Sequence, residues 1–235
     1  KPKRRTRATI AKEKGLEPLA AEIFKQDGKP IAVTTFVNPE KGVQHEEEAW
    51  AGAQDIIAEW ISEDVRVRTG LRGLYARRAQ LQAKVVKKKQ AEAAKFQDYF
   101  DWQEPLVKAP SHRILAILRG QNEGFLTVHA CPDEQEALSL LEKLIVKGNN
   151  AAGQRVREAA QDAYKRLLAP SLEGETLKAA KERADQEAIH VFAKNLRELL
   201  LAAPLGQKRV LAIDPGFRTG CKVAALDESV PHPAI

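Results

Sequence analysis

From Pro170 to Ala203 the chain keeps one helical stripe. Leu177, Ala180, Ala184, Ala188, Val191, Leu196 and Leu199 recur at the three- and four-residue spacing that aligns side chains on one helix face. Pro204 and Gly206 end it, and the periodicity then changes from helical to strand-like. Val210 to Ile213 is a short apolar run that ends on Asp214 and a Pro215-Gly216 turn, and a second run, Cys221 to Leu226, follows. Such a chain is expected to be mainly α. The fold predicted is a helical multi-segment scaffold with a long C-terminal helix, followed by a β-hairpin. The change of period marks a domain boundary, with 46–206 before it and 207–235 after it. A loop carrying Pro39 and Gly42 closes a first segment, 1–45.

Upstream, Trp50, Ala53, Ile57, Trp60 and Ile61 keep amphipathic helical spacing. No proline interrupts Val65 to Lys95, so much of that block also reads as helix, weakened by Gly70 and Gly73. Ile31 to Val37 is β-branched and reads as extended, and Phe125 to Ala130 reads as a short strand. Ser111 is the expected N-cap of a helix ending at Gly120. Pro132-Asp133 opens another to about Val146. One more covers Gln154 to Leu168, and Pro170 starts the longest.

Charge is unevenly placed. The net charge is only +6 over 235 residues, but Lys1 to Lys14 holds seven bases and one acid. Glu40 to Asp64 holds eight acids and one base, and Val65 to Lys95 holds ten bases and one acid. A concentrated basic segment neutralises phosphates and releases counterions, which gives salt-sensitive, sequence-tolerant binding. The alternative is a solvated face, or one paired with acids such as Glu46, Glu47 and Glu48. The candidate phosphate contacts are Lys3, Arg4, Arg5 and Arg7 in an N-terminal basic arm, then Arg77, Arg78, Lys87, Lys88 and Lys89 on a basic helix.

Other candidates carry less. Phe96, Tyr99, Phe100 and Trp102 cluster and read as core anchors rather than as a platform for unpaired bases. His112 lacks a partner carboxylate at useful spacing, so it reads as structural or anion-contacting rather than catalytic. Asp214 is the one catalytic candidate. A lone acid before Pro-Gly is commonly a turn former, and two-metal chemistry needs several converging acids. No metal site and no cofactor are expected. Cys131 and Cys221 have neither zinc nor disulfide spacing, which suits a reducing compartment. No apolar run is long enough to span a bilayer, and the expected location is cytoplasmic, away from membrane. The sequence contains no Met and reads as a piece of a longer protein.

Several segments carry a resemblance. They are Lys1-Pro-Lys-Arg-Arg-Thr-Arg-Ala-Thr-Ile-Ala, Pro110-Ser-His-Arg-Ile-Leu-Ala-Ile-Leu-Arg-Gly120, Ala188-Ile-His-Val-Phe-Ala-Lys-Asn-Leu196 and Leu211-Ala-Ile-Asp-Pro-Gly-Phe-Arg-Thr-Gly-Cys-Lys-Val-Ala224. With Gly15-Leu-Glu-Pro-Leu-Ala20 and Ala51-Gly-Ala-Gln-Asp-Ile-Ile-Ala-Glu59, the chain resembles the bacterial Tex family of transcription accessory proteins. The resemblance implies a helical N-terminal region, then a YqgF domain of the ribonuclease H-like type. Helix-hairpin-helix elements and a C-terminal OB-fold that binds RNA would follow. By this comparison the terminal hairpin is the first hairpin of the YqgF domain. Asp214 matches the first acid of a RuvC-like nuclease motif, in a domain type generally regarded as lacking nuclease activity. The tail from Glu228 to Ile235, with Pro231 and Pro233, departs from the pattern. The expected function is non-catalytic binding of RNA or single-stranded DNA. The alternatives are part of a metal-dependent nuclease, or a scaffold that docks on RNA polymerase or the ribosome through the acidic segment 46–64.

Overall fold

A computed structural model describes residues 5–206, 208–216 and 220–228. Lys3, Arg4 and the tail 229–235 lie outside the described residues. The chain divides into two units, Lys1–Ala188 and Ile189–Ile235.

The first unit opens with α1 (Arg7–Glu13), whose N-terminus is capped by the Thr6 hydroxyl accepting from the Thr9 N–H at 3.1 Å. Helix α2 (Glu17–Lys25) follows. Both pack on α3 (Glu46–Glu63), where Ala49, Ala53, Ile56, Ile57 and Ile61 are fully buried. The approach is close at Gly52, where a Cβ would meet Leu16 Cδ1 at 2.4 Å. Helix α4 (Val65–Arg78) starts on Asp64, whose carboxylate accepts from the Arg66 and Val67 N–H groups at 2.7 and 3.3 Å. Helices α6 (Glu134–Ile145) and α7 (Ala151–Asp162) complete this layer and share its core with Leu71, Tyr75, Leu141 and Val156. Burying each large apolar side chain here stabilises by about 1.5–3 kcal/mol. Asp133 caps α6, as its position before the helix predicts.

A second core sits on a three-stranded antiparallel sheet, ordered β2-β1-β3. Its strands are β1 (Gln80–Val85), β2 (Asp101–Pro105) and β3 (Leu126–Cys131). The short strand expected at Phe125 to Ala130 is therefore present as β3. Leu81 and Ala83 face Leu126, Val128 and Ala130, α5 (Ser111–Asn122), and Ala180 and Ala184 of the long helix. Phe96, 4% exposed, anchors this core as expected, while Tyr99, Phe100 and Trp102 are partly buried and pack against its edge.

The long helix α8 (Ala169–Leu200) is the predicted C-terminal helix, and the whole is mainly α, as expected. Its start differs from the sequence reading. It does not begin afresh at Pro170; a π-helical turn, Ala163–Leu168, joins it to α7. A widened turn accommodates a proline that has no N–H to give the preceding carbonyls.

Three further expectations are corrected. Val65 to Lys95 is not one helical block: α4 stops at Arg78, and Gln80 to Val85 is the central strand. Leu81, Ala83 and Val85 alternate with Gln80, Gln82 and Lys84, and two strands pair with them, which outweighs the lack of a helix breaker. Lys87–Lys89 consequently form a 3-10 turn after a strand, not part of a basic helix. Val33–Phe36 is also a 3-10 turn rather than extended, closed by the Thr35 hydroxyl donating to the Ala32 carbonyl at 2.7 Å. Ser111 is the first residue of α5 rather than its cap, because its hydroxyl donates to Glu187 of α8 instead.

In the second unit, β4 (Val210–Gly216) and β5 (Gly220–Leu226) form the expected antiparallel hairpin. Leu211, Ile213, Val223 and Leu226 are exposed on it, as are Ile189, Val191, Phe192 and Leu199 of α8. The apolar stripe of α8 thus has a buried half around Ala180 and Ala184, and an exposed half beyond Ala188.

Candidate nucleic-acid interface

The N-terminal cations are engaged locally. Arg5 pairs with Glu13. Burial pushes the Asp55 carboxyl of α3 up, against the opposing pull of Arg166 and then of Arg7. Thr6 donates to Glu59 at 2.9 Å, and Lys12 pairs with the same carboxylate at 3.1 Å. Acids of α3 therefore hold the basic arm where it enters α1.

The block from 65 to 95 separates into paired and unpaired cations. Arg66 pairs with Asp64, while Arg68 and Arg72 both reach Glu175 of α8, at 3.4 and 2.8 Å. Those arginine hydrogen bonds hold the Glu175 carboxyl below the usual range. Arg77 and Arg78, on the exposed last turn of α4, form no ion pair among the described residues, and neither do Lys84, Lys87, Lys88 and Lys89. Strand β1 stands between the two groups. At about 3.3 Å per residue its six residues separate them by about 20 Å. The structure does not join these candidates into one patch; it places two cationic ends on one strand.

The lysine end has neighbours that sequence reading missed. Lys89 Nζ lies 5.7 Å from the Phe125 ring centre, and Lys95 Nζ lies 5.8 Å from Phe125 and 5.1 Å from Phe96. Lys95 and Arg119 both bind Glu123, whose carboxyl they hold below its usual range. Beside them opens a cleft of about 530 Å³, walled by Lys95, Asp98 and Tyr99 on one side and by His112, Leu115 and Arg119 of α5 on the other. The three α5 residues share a helix face by their spacing, which was the available signal. Their meeting with Tyr99 was not, because it depends on how α5 packs against the 3-10 segment Ala94–Tyr99.

Asp214 is exposed on β4 and sits opposite Lys222 of β5. Among the described residues no group of three or more His, Cys, Asp or Glu side chains is placed to hold a metal ion. No described helix is long and apolar enough to cross a membrane.

The chain is a mainly α protein that carries, at the ends of one strand, two groups of cations without ion pairs among the described residues. A family model described as Tex central region-like matches residues 26–192. The chain belongs to the Tex family. It is 39% identical over 245 residues to Protein tex of Bordetella pertussis, covering 97% of this chain and 31% of that protein. It is 38% identical over 235 residues to the Transcriptional accessory protein Tex of Neisseria gonorrhoeae, with coverage of 97% and 31%. Similarity extends to the human S1 RNA-binding domain-containing protein 1, at 27% identity over 237 residues, covering 94% of this chain and 24% of that one. The chain thus spans about a third of the length of these bacterial relatives.

Proposed function

We propose that this chain is the nucleic-acid-contacting scaffold of a transcription accessory protein. It binds RNA or single-stranded DNA through phosphate contacts, without sequence preference and without catalysing a reaction. The observation that carries this is the pair of cationic ends on β1, Arg77 and Arg78 at one and Lys87–Lys89 at the other, none of them neutralised by a carboxylate among the described residues. The printed names of the relatives, one a transcriptional accessory protein and another an S1 RNA-binding domain protein, support the same direction. Under this proposal the terminal hairpin opens a ribonuclease H-like YqgF domain, and Asp214 marks its first strand rather than an active site.

Anisotropy of a labelled single strand of about 12 nucleotides, titrated at about 50 and about 200 mM salt, tests it. Binding that weakens steeply with salt is expected. Absent or salt-independent binding overturns the proposal. Mg²⁺- or Mn²⁺-dependent cleavage of the same strand would overturn the non-catalytic part and favour a nuclease, with Asp214→Asn as the control.

A second reading concerns protein docking. Glu46, Glu47 and Glu48 form the exposed first turn of α3 and carry no ion pair among the described residues. Such an acidic helix start suits a basic surface on RNA polymerase or the ribosome. Reversing the three charges to lysine should abolish co-purification with either machine; unchanged recovery rejects docking through this turn.

A further inference from the structure

The cleft between the aromatic 3-10 segment and α5 has a composition that the phosphate contacts do not explain. Tyr99 is half-buried and held edge-on against Trp102, with ring centres 6.0 Å apart, so its orientation is fixed. His112 is exposed on the facing helix, and Leu115 lies between it and Arg119 in the cleft wall. Cations stand at the rim: Lys95 and Arg119 tied by Glu123, with Lys89 over the neighbouring Phe125 ring. Asp98, on the wall, is exposed and forms no ion pair among the described residues.

The geometry points to a binding site for one unpaired nucleobase in this cleft, with its flanking phosphate on Lys89 of the adjoining turn. A planar ring with an apolar floor and fixed orientation offers a stacking surface, and every base has a π-face to place on it. The Asp98 carboxylate repels a phosphate from the interior, so the charged backbone stays at the rim and the base is the part that enters. An acidic peptide suits the cleft less well, because its carboxylates would meet the same Asp98. A duplex does not suit it, because its bases are already stacked and paired. The Lys87–Lys89 turn sits beside this rim through Lys89, so a strand held there by its backbone passes the cleft mouth. This site rests on the proposed binding of single-stranded nucleic acid.

The test uses the full chain and single strands of about 12 nucleotides carrying one central 2-aminopurine, in RNA and DNA versions. Binding should quench 2-aminopurine emission by stacking. Tyr99→Leu and His112→Leu should each remove the quench and weaken binding about tenfold at every salt concentration, leaving the salt slope unchanged. Replacing Lys87, Lys88 and Lys89 by Ala should lower the slope, yet leave the quench intact at saturating protein. Because Tyr99 touches Trp102, circular dichroism confirms that its variant is folded; His112, being exposed, serves as the second variant. If the quench survives both leucine variants, or a duplex competes as well as the single strand, the base site is wrong and the phosphate contacts stand. If neither RNA nor DNA binds, the underlying proposal falls with it. A quench with RNA but not DNA restricts the site to a ribonucleotide, and equal quenching assigns it to the base alone.

Discussion

The phenol oxygens of Tyr75 and Tyr164 lie 3.2 Å apart in the interior of the first unit, where α4 meets the π-helical turn. Cys131, at the end of β3, packs against the same core. Burial pushes both phenols up, and pushes the Cys131 thiol up to about 11 from an ordinary 9.0. A group that holds its proton more tightly when folded contributes stability fully below its unfolded pKa and loses it as pH rises. Stability should therefore be flat to about pH 9 and fall from about 9 through 11 and beyond, as the unfolded chain sheds protons that the folded chain keeps. Urea midpoints measured across this window check it, and the Tyr75→Phe/Tyr164→Phe double variant should show a shallower fall. At neutral pH either single variant should cost about 1 kcal/mol, and the double variant less than the sum, because the second loss removes a hydroxyl that no longer has its partner.

Gln26 ends α2 in the left-handed region, φ 58°, the one non-glycine residue with positive φ among those described. Its amide donates to the Ile145 carbonyl at 2.9 Å and accepts from the Lys147 N–H at 2.8 Å, and its own carbonyl accepts from the Asn150 side chain at 3.0 Å. The side chain thus pairs with the α6–α7 connection as a strand neighbour would. Gln26→Ala leaves the Ile145 carbonyl and the Lys147 N–H unpaired and should destabilise by about 2–3 kcal/mol. Gln26→Gly loses the same bonds but relieves the left-handed strain, so it should recover about 1 kcal/mol relative to Ala. Urea denaturation orders the three proteins. Alanine equal to or better than glycine would show that the backbone conformation costs nothing there.

What the sequence revealed and what it hid divide along contact range. The α8 stripe, the Asp133 cap and the terminal hairpin depend on neighbours within a few residues, and each was legible. Strand β1 was not: Gln80 to Val85 alternates for only six residues, and its partners lie near 101 and 126. For the same reason Lys87–Lys89 were assigned to a helix although they follow a strand. The cationic candidates themselves were legible as charge. Which of them stay unpaired was not, since Glu175 removes Arg68 and Arg72 from across more than a hundred residues of chain.

Two helical glycines make opposite predictions. A Cβ on Gly153 would lie 2.1 Å from the Gly148 carbonyl oxygen, a backbone atom that cannot swing away, and the Gly153 N–H is also the one that Asn150 caps, at 2.7 Å. Gly153→Ala should therefore shift the turn and cost about 1–3 kcal/mol. Gly174, within α8, has nothing within 4 Å of its Cβ position. Gly174→Ala should stabilise by about 1 kcal/mol through helix propensity, raising Tm by about 2–4 °C. Calorimetry on both variants checks the contrast, and a stabilised Gly153→Ala would mean the 148–153 turn is free to move.

The two cationic ends of β1 also predict how binding should divide. Each phosphate neutralised along a single strand contributes about 0.7 to the slope of log affinity against log salt. Arg77→Ala/Arg78→Ala should then reduce that slope by about 1.4, and the Lys87, Lys88 and Lys89 alanine triple by about 2.1. The groups are about 20 Å apart with the strand between them and share no ion pair, so the combined variant should lose the sum, about 3.5. That additivity requires one ligand long enough to touch both ends. With an oligonucleotide of about 3 nucleotides only one end can be engaged, and the lysine variant should then account for the whole effect, because the Tyr99 cleft stands beside that end. Titrations of both oligonucleotide lengths at several salt concentrations separate the cases. If the arginine pair changes no slope with the long strand, the interface stops at the lysine turn, and Arg77 and Arg78 belong to the solvated surface of α4.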